Sequence, residues 1–252
     1  MGLAPTASHD KPRRAHMGAP FRFGARLLNR YIAPLVLGLT GIAILLWLGT
    51  WQIQRLAWKQ DILSEIETTI ADAPQPLPRL IDPDAQRYQP VELTGEMDGD
   101  ALAVLVSVKH RGAGWRLISA FQTDDGRRIL LDRGYVPVDQ KDLPLYAGPA
   151  TIRGNLHWTD DRNSSTPAND PAKNIWYARD IGPMAEALDT EPLLVIVRDM
   201  SPADSGVTPL PVDTDGIPND HLQYAITWFS LAAVWLIMTG VWMRRLKTGK
   251  ES

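Results

Sequence analysis

Two long apolar runs, one near each end of the chain, constrain the fold more than any other feature. The first covers residues 31–51 and the second covers residues 222–243, and about 20 such residues cross a bilayer as a helix. A cleaved signal peptide is the competing interpretation of the first run. It is disfavoured because the bulky residues Trp51 and Gln52 stand where small cleavage residues are needed. The sequence therefore predicts two uncleaved transmembrane helices.

Basic residues flank both runs on the sides that face away from the middle of the chain. Residues 1–30 contain six basic residues and one acidic residue, whereas residues 244–252 contain four basic residues and one acidic residue. Such an excess of Lys and Arg is typical of cytoplasmic segments. We therefore expect a mostly disordered cytoplasmic segment before the first run and a basic cytoplasmic tail after the second. Residues 52–221 then lie in the periplasm at a bacterial inner membrane, or in the intermembrane space at a mitochondrial inner membrane.

Composition excludes several classes of function. The net charge is −3 although both ends are basic, so the middle is acidic and would be repelled by nucleic-acid phosphates. The chain contains no cysteine, which excludes disulfides, thiolate metal sites and covalent haem attachment. The histidines outside the two apolar runs and their edges are scattered, at positions 9, 16, 110 and 157. The sequence has neither a glycine-rich phosphate loop nor a paired-histidine zinc motif. We therefore expect a protein that is not an enzyme and does not bind nucleic acid.

Residues 52–221 have the length of one domain. Helical spacing continues from the first run and predicts an amphipathic helix over residues 52–72, which the prolines of residues 74–83 end. Residues 84–200 are β-rich, with predicted strands at 102–108, 115–123, 128–132, 150–156 and 193–198 and a short helix near 184–188. The predicted fold is an α+β membrane protein. Its two transmembrane helices form a hairpin around a mainly antiparallel β domain, which is open or curled into a small barrel.

The candidate site lies where the two runs meet the middle domain. At the start of the second run, His221, Tyr224 and Trp228 stand at i, i+3 and i+7 and share one helix face. At the end of the first run, Trp51 and Arg55 share a face in the same way, with Lys59 one turn after Arg55. The six residues singled out are His221, Tyr224, Trp228, Trp51, Arg55 and Lys59. If the helices form a hairpin, both groups lie at the same membrane surface.

Two interpretations of this group of residues compete. Aromatic residues form belts at membrane interfaces and cations snorkel there, which explains each residue singly. In combination, an imidazole, an aromatic cleft and two cations suit haem. His221 would ligate the iron, Arg55 and Lys59 would pair with the propionates, and the aromatic face would hold the ring. One histidine gives incomplete coordination, which suits delivery of a transient cargo better than permanent catalysis.

Several motifs resemble the Surfeit locus protein one family. The first signature of that family is similar to LGTWQIQRLAWK at residues 48–59, and the second is similar to NDHLQYAITW at residues 219–228. Between them, residues 114–116, 131–137 and 174–177 also resemble the family. Among these inner motifs, we interpret Arg133–Tyr135 as a strand end followed by a turn, and Trp115 and Trp176 as core residues.

The resemblance implies an assembly factor for haem-copper cytochrome c oxidase in the respiratory chain. It implies a chaperone that binds haem a and assists its insertion into the catalytic subunit, with the haem a synthesis machinery as a further partner and the lipid bilayer around the helices. The haem-binding role of the histidine in the second signature carries over to His221. The sequence departs from the family pattern at Asp220, where asparagine is common.

Two other functions remain open from the sequence. A scaffold that stabilises nascent oxidase subunits without binding haem would carry the same aromatic belts. Such a scaffold should tolerate a change of His221 to glutamine, whereas a haem carrier should not. Copper delivery is disfavoured by the absence of cysteine and by scattered methionines that form no cluster.

Overall fold

The computed structural model describes residues 22–159 and 161–248. The predicted disordered segment before residue 22 and the end of the basic tail lie outside the described residues. The chain divides into two compact units. The helical unit contains the residues up to Ala57 and those from Asn219, and the β-barrel unit is Trp58–Pro218.

Within the described residues the helices are α1 (Arg22–Ala71), α2 (Ile181–Leu188) and α3 (His221–Thr248). The strands are β1 (Gln75–Pro76), β2 (Pro90–Met97), β3 (Leu102–Val108), β4 (Gly112–Thr123), β5 (Arg128–Pro137), β6 (Gly148–His157) and β7 (Leu194–Ser201). Helix α1 is continuous through the first apolar run and the amphipathic stretch that follows it.

Helices α1 and α3 are both long and apolar enough to cross a membrane. Only 17% of the most apolar window of α1 and 6% of that of α3 are buried. The core helix of a soluble protein would bury most of its apolar side chains, whereas a membrane span presents them to lipid. The two apolar runs therefore form helices of the membrane type.

The two long helices pack as an antiparallel hairpin in the helical unit. Trp235 Nε1 donates to the carbonyl of Gly38 at 3.1 Å. Further along α1, Gly49 lies so close to the ring of Phe229 that a Cβ there would overlap it. Residues later in α1 therefore contact residues earlier in α3, so the two helices run in opposite directions. Small residues permit their close approach. The predicted helix hairpin is confirmed.

The strands of the β-barrel unit form one sheet in the order β1-β2-β6-β7-β5-β4-β3. An additional antiparallel pairing between β2 and β4, at Gly95–Met97, closes β2, β6, β7, β5 and β4 into a barrel. The β5–β7 and β1–β2 pairs are parallel, and the other pairs are antiparallel. The prediction of a mainly antiparallel β domain is confirmed, and the closed alternative is the one adopted.

Fully buried apolar side chains fill the barrel. The largest cluster includes Val91, Phe121, Ile129, Ile152 and Val195, each with no exposed surface. Burial of side chains of this size contributes about 1.5–3 kcal/mol each. The chain has no disulfides, so this core is the main source of the unit's stability. Trp115 and Trp176 are also buried, which confirms their interpretation as core residues.

One inner motif differs from its prediction. Arg133–Tyr135 lies inside β5, which continues to Pro137, so the expected strand end and turn are wrong. The strand continues because β5 stays paired with β4 as far as Pro137. On its other side, Tyr135 exchanges backbone hydrogen bonds with Thr208. Gly134 has a φ of 124° and a Cβ there would overlap the Thr208 carbonyl, so glycine is required at this contact.

A half-buried histidine gives the β-barrel unit a sensitivity to acid. His157, at the end of β6, stacks on Tyr88 with ring centroids 5.5 Å apart. Burial and the positive charges of Arg179 and Arg87 lower the pKa of His157 from 6.5 to about 4, although Asp161 opposes this shift. The imidazole is therefore neutral in the folded unit at neutral pH.

Acidification is expected to destabilise the β-barrel unit through His157. The unfolded chain protonates this imidazole near pH 6.5 and the folded unit only near pH 4. Between pH 6.5 and about pH 4 the unfolded state binds more protons than the folded state. The contribution of His157 to the free energy of unfolding is therefore complete above pH 6.5 and is lost as the pH falls toward 4. After an allowance for solvent screening, we expect a loss of about 1–2 kcal/mol.

Urea unfolding of the full-length protein, followed by pulse proteolysis at about pH 7 and about pH 4.5, measures this loss. The variant His157→Phe keeps a ring against Tyr88 but has no group that titrates in this range. It should lose clearly less stability than the wild type. An equal loss in both proteins would show that His157 is not the cause.

Candidate functional site

His221 is the first residue of α3, and its ring is held by a residue of α1. Its Nδ1 lies 2.8 Å from Oε1 of Gln52, which is 169 positions away in the chain. Gln52 is only 8% exposed, and His221 is half-buried. An amide oxygen can only accept a hydrogen bond, so a neutral ring that donates Nδ1–H to it has its lone pair on Nε2. His221 therefore lies where the two helices of the hairpin meet, with one ring nitrogen paired to α1.

The side chains predicted to share one face of α3 differ in exposure: some are buried in the hairpin and one lies at the surface. Ala225, one turn after His221, is 1% exposed. Trp228 is half-buried, and its Nε1 is a buried donor with no hydrogen-bond partner. Tyr224 is 55% exposed. Ala225 and Trp228 therefore follow the buried side of α3 from His221, while Tyr224 offers its ring at the surface.

The site residues of α1 lie on either side of the boundary between the two units. Trp51, next to Gln52, is 42% exposed. Arg55 follows Gln52 by three residues and is exposed, so it lies on the same side of α1 one turn further on. Lys59 is half-buried and belongs to the β-barrel unit. Of the six predicted residues, Trp51, Arg55, Tyr224, Trp228 and His221 belong to the helical unit.

The start of α3 favours negatively charged groups. Tyr224 N donates to the carbonyl of Asp220 at 3.1 Å, which closes the first turn of the helix. The amides before it point outward from the positive end of the helix dipole. Asp220 is exposed and opposes this field in part. Carboxylates of a bound molecule would be stabilised here.

Among the described residues of the helical unit, two buried polar atoms lack hydrogen-bond partners. They are Oδ1 of Asn219 and Nε1 of Trp228. Buried polar groups are nearly always paired, so unpaired ones indicate a missing partner. The indole donor suits an oxygen acceptor on a ligand, and the exposed rings of Trp51 and Tyr224 suit a flat apolar one. The residues present at the site therefore fit an iron macrocycle that carries acidic groups.

The described residues contain no group of three or more His, Asp or Glu side chains that could hold a metal ion. His221 therefore offers one nitrogen ligand and depends on the bound group for the others. A porphyrin supplies four nitrogens to its iron and needs only axial ligands from protein. A site built around His221 suits such a ligand better than a free metal ion.

The sequence did not identify Gln52 as a site residue. In the sequence, Gln52 is a bulky residue where a cleavage site needs a small one, and it belongs to the first signature. Its contact with His221 depends on the register between α1 and α3. One signal was present, since Gln52 is a polar residue at the end of an apolar run, directly after Trp51.

Sequence similarity to known proteins extends across both units. The profile of the SURF1 family matches residues 39–233, which include Gln52, the β-barrel and His221. The chain belongs to the SURF1 family. The resemblance stated from the signatures is confirmed, and the chain is a membrane protein by its family and its two apolar helices.

Individual relatives show the same extent of similarity. Surfeit locus protein 1 of Xenopus tropicalis is 28% identical over 229 residues, which cover 79% of this chain and 71% of that protein. The Homo sapiens protein of the same name is 28% identical over 228 residues, covering 80% and 74%. The SURF1-like protein of Monosiga brevicollis is 31% identical over 225 residues, covering 81% and 85%.

Proposed function

We propose that this SURF1 family member is an assembly factor for haem-copper cytochrome c oxidase. It binds haem a at the membrane surface and assists its insertion into the catalytic subunit. One observation carries the proposal: His221 lies where the two membrane helices meet, with its Nδ1 2.8 Å from Oε1 of Gln52, so that Nε2 is the nitrogen left to bind iron. A second supports it, since Trp228 Nε1 is a buried donor without a partner on the same side of α3.

Each predicted residue has a role in holding the cargo. His221 supplies one nitrogen to the haem iron, and the ring of Trp228 packs against the macrocycle. The cations Arg55 and Lys59 pair with the propionates. Trp51 and Tyr224 cover the ring with their exposed aromatic faces. Hydrogen bonds and apolar contacts hold the ring in place without a second ligand.

A single protein ligand makes the cargo transferable. A haem held by two protein ligands would require both bonds to break before release, whereas one bond is exchanged in a single step. The catalytic subunit receives the haem, and the haem a synthesis machinery is the partner on the loading side. Haem a is thus a transient cargo rather than a resident cofactor, and the protein performs no catalysis.

The membrane and the orientation follow from the flanking charges. Basic residues precede α1 and follow α3, so both termini face the cytoplasm and the β-barrel unit faces the periplasm of a bacterial inner membrane. The mitochondrial inner membrane, with the unit in the intermembrane space, is the alternative. In either case haem is received and delivered at the outer surface, where the hairpin ends at His221.

Complementation of a strain that lacks this protein tests the proposal. The variant His221→Gln should reach the membrane in normal amounts but leave oxidase activity and the haem a content of the catalytic subunit at least about tenfold lower, because the axial nitrogen is lost. The matched variant is His110→Asn, an exposed residue with a left-handed φ of 66° that asparagine tolerates. It should behave as wild type.

Full oxidase activity with His221→Gln would contradict haem delivery. That result would favour the alternative function, a membrane scaffold that stabilises nascent oxidase subunits without binding haem. Such a scaffold needs the helices and the β-barrel unit, but not an imidazole at the start of α3.

A further inference from the structure

We propose that Gln52 is the positioning residue of the haem ligand: its side-chain oxygen fixes His221 in the Nδ1–H tautomer and so makes Nε2 the ligand atom. This inference rests on the proposed function, since it names how the ligand is prepared. Gln52 itself does not contact the cargo.

The contact has the features of a built interaction. Gln52 Oε1 lies 2.8 Å from Nδ1, and the glutamine is 8% exposed although it directly follows the first apolar run of α1. A buried amide at such a depth is costly unless it is paired. Because the partner is one ring nitrogen of a half-buried histidine, the bond restricts both the rotation and the tautomer of the imidazole.

The chemistry of the ring makes this bond decisive for ligation. A neutral imidazole has one N–H and one lone pair, and only the nitrogen with the lone pair can bind iron. Histidines that bind metals usually donate their other N–H to a carbonyl or carboxylate, which orients the ring and increases the basicity of the ligand nitrogen. Oε1 of Gln52 is such a carbonyl oxygen.

The amide could in principle act in the opposite sense. If the amide nitrogen of Gln52 faced the ring, it would donate to Nδ1 and leave the proton on Nε2, which would then be unable to bind iron. The two arrangements differ only in the identity of two amide atoms, and the tautomer of His221 distinguishes them.

The bond also links ligand preparation to assembly of the hairpin. Gln52 and His221 are 169 positions apart and lie on different helices. They meet because α1 and α3 pack in the register set by contacts such as Gly49 with Phe229. Only a correctly packed hairpin therefore has His221 in the form that binds iron.

The experiment is nitrogen-15 NMR of the full-length, haem-free protein in lipid nanodiscs, with labelled histidine, at about pH 8.5, where an ordinary imidazole is neutral. Long-range proton–nitrogen correlations report which ring nitrogen carries the proton. We expect Nδ1–H for His221 in the wild type. The variant Gln52→Leu removes the acceptor, so the ring should shift toward the Nε2–H form.

Haem affinity of the same proteins provides the second measurement. Gln52→Leu should bind haem a about 10–100-fold more weakly, as is typical when the partner of a metal-binding histidine is lost. Gln52→Glu keeps an acceptor and should restore both the tautomer and most of the affinity. Gln54→Leu, an exposed position on the same helix, should change neither.

Nε2–H in the wild type, or an Nδ1–H form that persists in Gln52→Leu, would overturn the assignment of Gln52. If Gln52→Leu does not fold, the tautomer of His221 in the wild type still tests the assignment, because Nε2–H there contradicts it. Failure of the wild type to bind haem a would contradict the proposed function separately, because the tautomer is measured without haem.

Discussion

Replacing Asp204 with asparagine is expected to lower the free energy of unfolding of the β-barrel unit by about 3–5 kcal/mol. Asp204 pairs with Arg133, whose side chain has no exposed surface. Removing one partner of a buried ion pair leaves the other charge uncompensated in the core. The remaining hydrogen bonds of Arg133, to the carbonyls of Asp98 and Tyr146 and to the hydroxyl of Ser119, do not replace the lost negative charge.

Urea unfolding of the full-length protein near neutral pH measures this effect. The control is Asp199→Asn, since Asp199 is 59% exposed and its two ion-pair contacts are both at 4.0 Å. Exposed pairs contribute at most about 1 kcal/mol, so this variant should stay close to the wild type. A loss below about 1 kcal/mol in Asp204→Asn would show that Arg133 does not depend on Asp204.

The fold class was predictable from the sequence because its signals are local. Length and hydropathy alone define the two apolar runs, and β3 has the predicted bounds, Leu102–Val108. Asp124, Asp125 and Gly126 are typical turn residues between two apolar runs, and they join the antiparallel strands β4 and β5. Such features depend on residues that are neighbours in the chain, so a short stretch of sequence is enough to predict them.

Closure of the barrel was left open by the sequence, for a physical reason. It depends on the pairing of β2 with β4, which no local pattern specifies. Strand β2 was itself not predicted, although Val91 and Leu93 alternate with the exposed Glu92 and Thr94 as in a half-buried strand. The parallel pair of β5 and β7 also joins segments far apart in the chain.

The candidate site likewise contains one residue with a local signal and one whose role depends on long-range packing. His221 was identified from the sequence because an ionisable residue at the edge of an apolar run is costly unless it has a function. Its partner Gln52 was not, because an uncharged amide carries no comparable signal and the contact depends on helix packing. The roles of Arg55 and Lys59 toward propionates stay predictions.

The largest functional effect is expected for His221→Ala. This variant removes the nitrogen that Gln52 prepares, while Ala225 and the rest of the hairpin contact remain. Loss of a residue that only orients a ligand costs about 10–100-fold in metal affinity. Loss of the ligand itself should exceed this, so we expect haem a to be absent from the purified variant.

The most direct test of the account is the visible spectrum of the full-length protein purified from cells that make haem a, beside that of His221→Ala. We predict a stoichiometric haem a signal in the wild type and none in the variant, with equal yields of both proteins. A wild type without haem a, or a variant that retains the same signal, would contradict the role of His221 as the haem ligand.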